Sequence, residues 1–414
     1  MHYGSKPWLA ALVQSPNRAL IATLAIVCFT VAGCDKVEGL VEGGKDLVNG
    51  GESSVANSPP VTTTPAQTQI TPPGPVVPAG PTPQQIVERF KGLQPSQISD
   101  GELAQLASSP EAAAAITEIN INGAQLSAKG LGYLSNLPNL ESLDASNTRV
   151  AEDSLVAIGQ SQSLRSINLA NSDASDRVVG ELSKIPHLQT LNLANTRIST
   201  DAARSLGEMR ELTDLSLMGT ATDQIVAGLT ALPIRRLDLS RSQITNASLP
   251  MLLQIPTLES LKVDWCPVTG DGFKGFGKSD IKELSVSSTA FGTEGLVAIK
   301  GMKSLENLNV FEARVQMQLQ ANVFRTFPKL RILNAGKNAL SDEALRVFFK
   351  GHKTLEELHL PNQNGISDNG LQWLIGLKNL KLLNVVDTSV RGPGANELKK
   401  KLPECTIETS GGTL

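Results

Sequence analysis

At 414 residues, with 40% apolar and 19% charged side chains and a formal net charge of −3, the chain lacks the basic excess of nucleic-acid binders. Aromatic residues make up only 4%, so leucine, isoleucine and valine must fill whatever core it builds. Acidic residues outnumber basic ones up to position 261 and the balance then reverses. Beyond that point Lys274, Lys278, Lys300, Lys303, Lys350 and Lys353 fall outside the apolar runs and read as a solvated face.

Lys6 and Arg18 precede an apolar stretch, Ala19 to Ala32, that ends in Gly33 and Cys34. A charged start, small residues at the end and an apolar run shorter than the ~20 residues of a spanning helix together describe an export signal. Val31-Ala32-Gly33-Cys34 resembles the lipobox of bacterial lipoproteins. That resemblance implies removal of residues 1–33, a diacylglyceryl group on the Cys34 sulfur and a lipid-anchored chain exported to the cell envelope. Residues 34–83 then change composition, with Gly43-Gly44, Gly50-Gly51 and Ser53-Ser54 followed by a proline-rich run from Pro59 to Pro83. Such a segment has too little apolar surface to fold and reads as a disordered tether, extended where proline dominates.

Residues 84–115 predict a helical N-terminal cap, with Ile86, Val87 and Phe90 on one face and Leu103, Leu106 and Ala107 on another. From 116 to 404 a single pattern, L-x-x-L-x-L-x-x-(T/S/N)-x-(L/I/V), is written twelve times at intervals of 22 to 25 residues. Leu140, Leu143, Ala145, Thr148 and Val150 fit it, as do Leu188, Leu191, Leu193, Thr196 and Ile198. Further copies start at Ile116, Leu164, Leu212, Ile234, Leu258, Ile281, Leu305, Leu330, Leu355 and Leu380. The L-x-L alternation sends successive side chains to opposite faces of a short strand. Polar caps such as Ser199-Thr200-Asp201, Ser341-Asp342-Glu343 and Ser367-Asp368 then open a helical stretch. Leu137-Pro138, Ile185-Pro186 and Ile255-Pro256 close it. Residues 405–414 are left to finish the stack, with Leu398, Leu402, Cys405 and Ile407 in the closing layer and Ser410-Gly411-Gly412 fraying.

The pattern resembles the leucine-rich repeat in its bacterial form of about 24 residues, akin to the cysteine-containing and ribonuclease-inhibitor-like types. The resemblance implies an α/β fold: a right-handed horseshoe solenoid with a parallel sheet on its concave face and short helices on its convex face. It also implies that the ninth position bonds the backbones of neighbouring loops. Thr148, Ser172, Thr196, Thr220, Ser242, Cys266, Thr289 and Thr388 occupy that position here.

Little in the chain suggests catalysis. Cys266 and Cys405 lie nearly six layers, roughly 25 Å, apart at the strand spacing, so two free, buried thiols are expected. His187, His352 and His359 show no metal-ligand spacing. No cofactor, metal site or nucleic-acid partner is expected, and a non-catalytic scaffold is. The outward sheet residues are small and polar at first: Asn120, Asn122, Asp144, Ser146, Asn168, Ala170, Asn192 and Ala194. They become larger later, where Arg236, Asp238, Arg241, Lys262, Asp264, Trp265, Phe311 and His359 form the candidate binding surface, aromatic and arginine side chains being favoured at hot spots. The leading expectation is a membrane-tethered scaffold that binds a protein or glycan at the envelope. The alternative is a structural spacer acting through self-association.

Overall fold

The computed structural model describes residues 80–148, 152–316 and 323–414. The export signal, Cys34 and all of the tether up to residue 79 lie outside the described residues, so the lipidation reading rests on sequence alone.

The solenoid begins with a cap of three helices. The Thr82 hydroxyl accepts a hydrogen bond from the Gln85 backbone N–H, and the Gln85 side-chain oxygen accepts one from the Thr82 backbone N–H, opening the helix Pro83–Lys91. Asp100–Ala107 and Pro110–Ala114 follow, each capped by a serine. Ile86, Phe90, Leu103 and Leu106 are buried and cover the apolar end of the first repeat.

A fourteen-stranded sheet then follows chain order. Its strands run from Glu118–Asn120 and Ser142–Asp144 to Glu357–His359, Leu382–Val385 and Thr406–Thr409, most of them three residues long. All these pairings are parallel and in register, so Leu143 lies opposite Ile167 and Leu358 opposite Leu383. The central leucine or isoleucine of each triplet is buried. Strands stack about 4.8 Å apart whereas helices need 8–10 Å, which puts the sheet on the inner side of the curve.

Three expectations are corrected here. Thr406–Thr409 is a further parallel strand, and Gly412–Thr413 folds back antiparallel to it; residues 410–411 form the turn of a closing hairpin, held by paired bonds between Ile407 and Leu414. The convex layer is not filled by aliphatics alone, because Phe273, Phe276, Phe291, Phe324, Phe327, Phe348 and Phe349 are all fully buried. Phe273 stands edge-on to Phe291 at 4.9 Å, and Phe324 stacks on Phe349 at 5.7 Å. The strand-plus-helix rule also lapses after Thr269, where only the 3₁₀ turns Gly270–Phe273 and Phe276–Lys278 form. Glycine is needed there: a Cβ on Gly270 would lie 2.3 Å from the Gly295 nitrogen of the next repeat.

The acid after each capping hydroxyl has a longer reach than a cap. The Asp342 carboxylate accepts from the backbone N–H (2.7 Å) and hydroxyl (2.6 Å) of Ser367, the capping residue of the following repeat. Asp100 does the same to Ser127, Asp176 to Ser199 and Asp223 to Thr245.

Candidate binding surface

The last residue of most strands is asparagine or aspartate, and it points away from the core. Its side-chain oxygen accepts from the backbone N–H two residues on, as in Asn168 to Ala170, Asn192 to Ala194, Asp238 to Ser240 and Asn309 to Phe311. These are Asx turns, which bend the chain out of the sheet. The turn presses the small residues Ser146, Ala170 and Ala194 against neighbouring repeats, so they are buried, not presented as expected. Asp238 is likewise engaged in closing its own turn.

Lys262 and Ser285 interrupt this column. Asp264 compensates from two positions further on: its Oδ1 accepts from the Ser285 hydroxyl and the Ser287 backbone, each at 2.6 Å, in the next repeat. Burial raises its carboxyl above the ordinary range despite those bonds. Arg236 is ion-paired with Asp214 of the adjacent strand. His359 lies 3.5 Å from Glu357 of its own strand. Of the predicted surface, Arg236, Asp238 and Asp264 are therefore held by their own neighbours.

The following turn residue has a positive φ in repeat after repeat: Asn147 (56°), Asn171 (56°), Asn195 (53°), Arg241 (58°), Trp265 (60°), Glu312 (51°) and Lys337 (53°), with Gly123 and Gly219 in the same column. Their side chains run along the edge where the strands end. Asn195 donates to Asn171 and Asn171 to Asn147, at 3.0 and 3.1 Å. The Arg241 guanidinium lies 5.2 Å from the Trp265 ring centroid, and Lys337 pairs with Glu312 at 2.6 Å. Trp265 is 56% exposed, the most exposed large apolar side chain among the described residues. Arg241 and Trp265 thus belong to the rim, with Lys262 and Asp264 beside them. The signal for this column was in the sequence, as asparagines 24 residues apart, but the apolar letters alone conceal it.

Phe311 is not part of that cluster. It is half-buried two repeats on, and a Cβ on Gly336 would meet its ring at 2.9 Å and Pro361 at 2.8 Å, so ring and proline close over the glycine.

At the opposite edge, where strands start, charges alternate and cancel. Glu259 takes Arg235 and Lys282 at 3.2 and 2.9 Å, beside a shallow cleft of about 280 Å³. Glu356 takes Arg331 and Lys381, both at 2.8 Å, and their hydrogen bonds hold its carboxyl down at about 2.

The ninth position works in two ways, correcting the uniform bridge implied by the resemblance. Thr148, Ser172, Thr196, Thr220, Thr289 and Thr388 donate to a carbonyl three residues back in their own turn. Ser242 and Cys266 also donate to the preceding repeat, at Leu217 and Leu239, besides a carbonyl of their own turn. Asn338 does both: its Nδ2 donates to Val310 and Ala335, and its Oδ1 accepts from Ala313 and Val315. Cys266 and Cys405 are free and buried, and burial pushes both thiols up to about 11. Among the described residues no group of three His, Cys, Asp or Glu side chains could hold a metal ion.

Short strands in register, an apolar ladder under them and a polar turn after each define a leucine-rich-repeat solenoid. The family profile described as Leucine Rich repeat matches residues 184–207, one full repeat. Among solved structures, an internalin from Listeria monocytogenes superposes with a TM-score of 0.52 at 17% identity, over 78% of this chain and 93% of that one. A TLR13–ssRNA13 complex gives 0.48 at 18% identity, over 74% of this chain and 52% of that one. At 17% identity the likeness to the internalin is one of fold. No curated protein matches the chain in sequence.

Proposed function

We propose that the protein is a non-catalytic binding scaffold, tethered at the cell envelope through a lipid on Cys34, that engages a protein or glycan partner at the strand-end rim around Trp265. The observation that carries this reading is the pair at that rim. An indole more than half exposed, with an arginine over its face, offers apolar area and a cation at one point, the combination favoured at hot spots. Lys262 extends the patch onto the sheet. No helix among the described residues is long and apolar enough to cross a membrane.

Crosslinking in the native envelope identifies the partner, and Trp265→Ala and Arg241→Ala then test the rim. Each should weaken capture by about tenfold or more while leaving the unfolding midpoint within a few degrees. Unchanged capture by both variants would move the binding site elsewhere. Mass spectrometry of the mature N-terminus checks the tether: a chain still carrying residues 1–33 is incompatible with a lipid on Cys34.

A further inference from the structure

The loops that lead from each helix into its strand change character along the solenoid. From the second to the seventh repeat the place two residues before the leading leucine or isoleucine holds Pro138, Gln162, Pro186, Arg210, Leu232 and Pro256. In the last repeats it holds Lys303, Lys353 and Lys378, and in the repeat led by Leu330 a lysine, Lys329, follows Pro328 one place on. Lys300 and Lys303, Lys329, Lys350 and Lys353, and Lys378 occupy four consecutive loops. All six are exposed, and none has an ion-pair partner among the described residues. The strands that follow are parallel and in register, so these loops stack on one edge at about 4.8 Å per layer. On this edge Glu259 and Glu356 are already engaged by Arg235, Lys282, Arg331 and Lys381, which leaves Asp280, hydrogen-bonded to Ser304, and Glu306 as two carboxylates against six lysines. The row therefore keeps its positive charge.

We infer that this strand-start edge of the last repeats docks onto an anionic lipid bilayer. Three features select a membrane surface over a folded acidic partner. The free cations are lysines, point charges on flexible stems that suit a fluid array of headgroups; a fixed carboxylate or phosphate favours the planar fork of arginine. They project from a line of stacked loop tips, which meets a plane more readily than a pocket. The cleft at Glu259 holds its two cations, Arg235 and Lys282, paired with that carboxylate and adds no free cation to the row. Each lysine held near an anionic leaflet adds to binding, and the attraction fades within a Debye length. Docked this way, the solenoid stands on one edge, and the opposite rim, with Arg241 and Trp265, faces away from the bilayer. The inference does not depend on the Cys34 lipid or on the rim as a binding site.

The test is flotation of the full chain carrying Cys34→Ser with vesicles of phosphatidylcholine alone or mixed with phosphatidylglycerol. Neutral vesicles report whatever the apolar N-terminal stretch contributes. Binding should require the anionic lipid and weaken with salt. A K303E/K329E/K353E/K378E variant should bind at least about a hundredfold more weakly. A variant with the same change in net charge away from this edge, K129E/R204E/R314E/R391E, should keep most of its binding. If the glutamate set unfolds the chain, the corresponding lysine-to-glutamine set replaces it. Equal loss in both variants would reduce the effect to net charge and overturn the inference. So would equal binding to neutral vesicles, or lysine-dependent binding to polyglutamate without binding to vesicles.

Discussion

His352 stands in a column of buried apolar residues. Leu137, Ile185, Met209, Ile255, Met302, Phe327, Leu377 and Leu402 fill the same place in other repeats. The histidine is 6% exposed, and neither ring nitrogen has a hydrogen bond of normal geometry. Burial lowers its pKa, Arg325 beside it adds to that effect, and the Phe324 backbone only partly opposes it. Above about pH 6.5 the ring is neutral in both the folded and the unfolded chain, and stability is at its full value. As the pH falls through that point the unfolded chain takes up the proton first, so stability is lost on the acid side. His352→Leu should therefore stabilise the fold by about 1–2 kcal/mol at pH 7 and flatten the fall towards pH 5. Denaturant titrations at pH 7.5 and 5.5 measure both effects. An unaltered pH slope in the variant would assign the acid sensitivity to other groups. The sequence shows this residue only as a histidine without a metal partner; the column that makes it anomalous becomes visible once the layers are aligned.

At the scale of the element, adjacent repeats are joined by a carboxylate and a glycine. Asp342 reaches the capping Ser367, and a Cβ on Gly370, three residues later, would lie 2.2 Å from the Asp342 Oδ1. Asp100 and Gly130 repeat the arrangement at 1.9 Å, with Ser127 as the cap. Gly370→Ala should cost about 1–3 kcal/mol, because the carboxylate must leave the N–H it satisfies. In an Asp342→Ala background the same substitution should cost clearly less, a coupling that a double-mutant cycle by thermal unfolding measures. Additive costs would mean that glycine and carboxylate act separately. The capping hydroxyls and the acids after them are legible in the sequence, but as features of their own helices. Which helix an acid serves depends on register between repeats, and periodicity alone does not supply it.

Across the whole molecule, stability comes from layers that touch only their neighbours, so the two ends carry special weight. The C-terminal strand Gly412–Thr413 covers the edge of Thr406–Thr409, which would otherwise offer unpaired backbone groups to another chain. Deleting residues 411–414 should leave most of the fold intact and produce concentration-dependent dimers or larger species on sizing. A strictly monomeric deletion variant would show that the hairpin does not guard this edge. The leucine spacing announces the sheet, its length and its parallel order, since those follow from a repeated apolar ladder. It does not announce the turn that lifts Arg241 and Trp265 out of the sheet, because that turn is set by Asx bonds and backbone conformation. The binding surface read from sequence consequently mixed rim residues with residues such as Asp238 and Asp264 that hold the turns together.

The left-handed turn column has one further consequence. Glycine and asparagine tolerate that backbone readily, whereas other residues adopt it at a cost of about 1–2 kcal/mol each. The first repeats obey this preference with Gly123, Asn147, Asn171, Asn195 and Gly219; Arg241 and Trp265 are the first to break it, before Ser288, Glu312 and Lys337. Installing asparagine at both positions, in R241N/W265N, should extend the carboxamide ladder and raise stability by about 1–2 kcal/mol, even after the cation–π contact is lost. If the same variant no longer captures the partner, a more durable solenoid will have been obtained by erasing its recognition, and the strained turns at 241 and 265 will be conformational stress retained for binding.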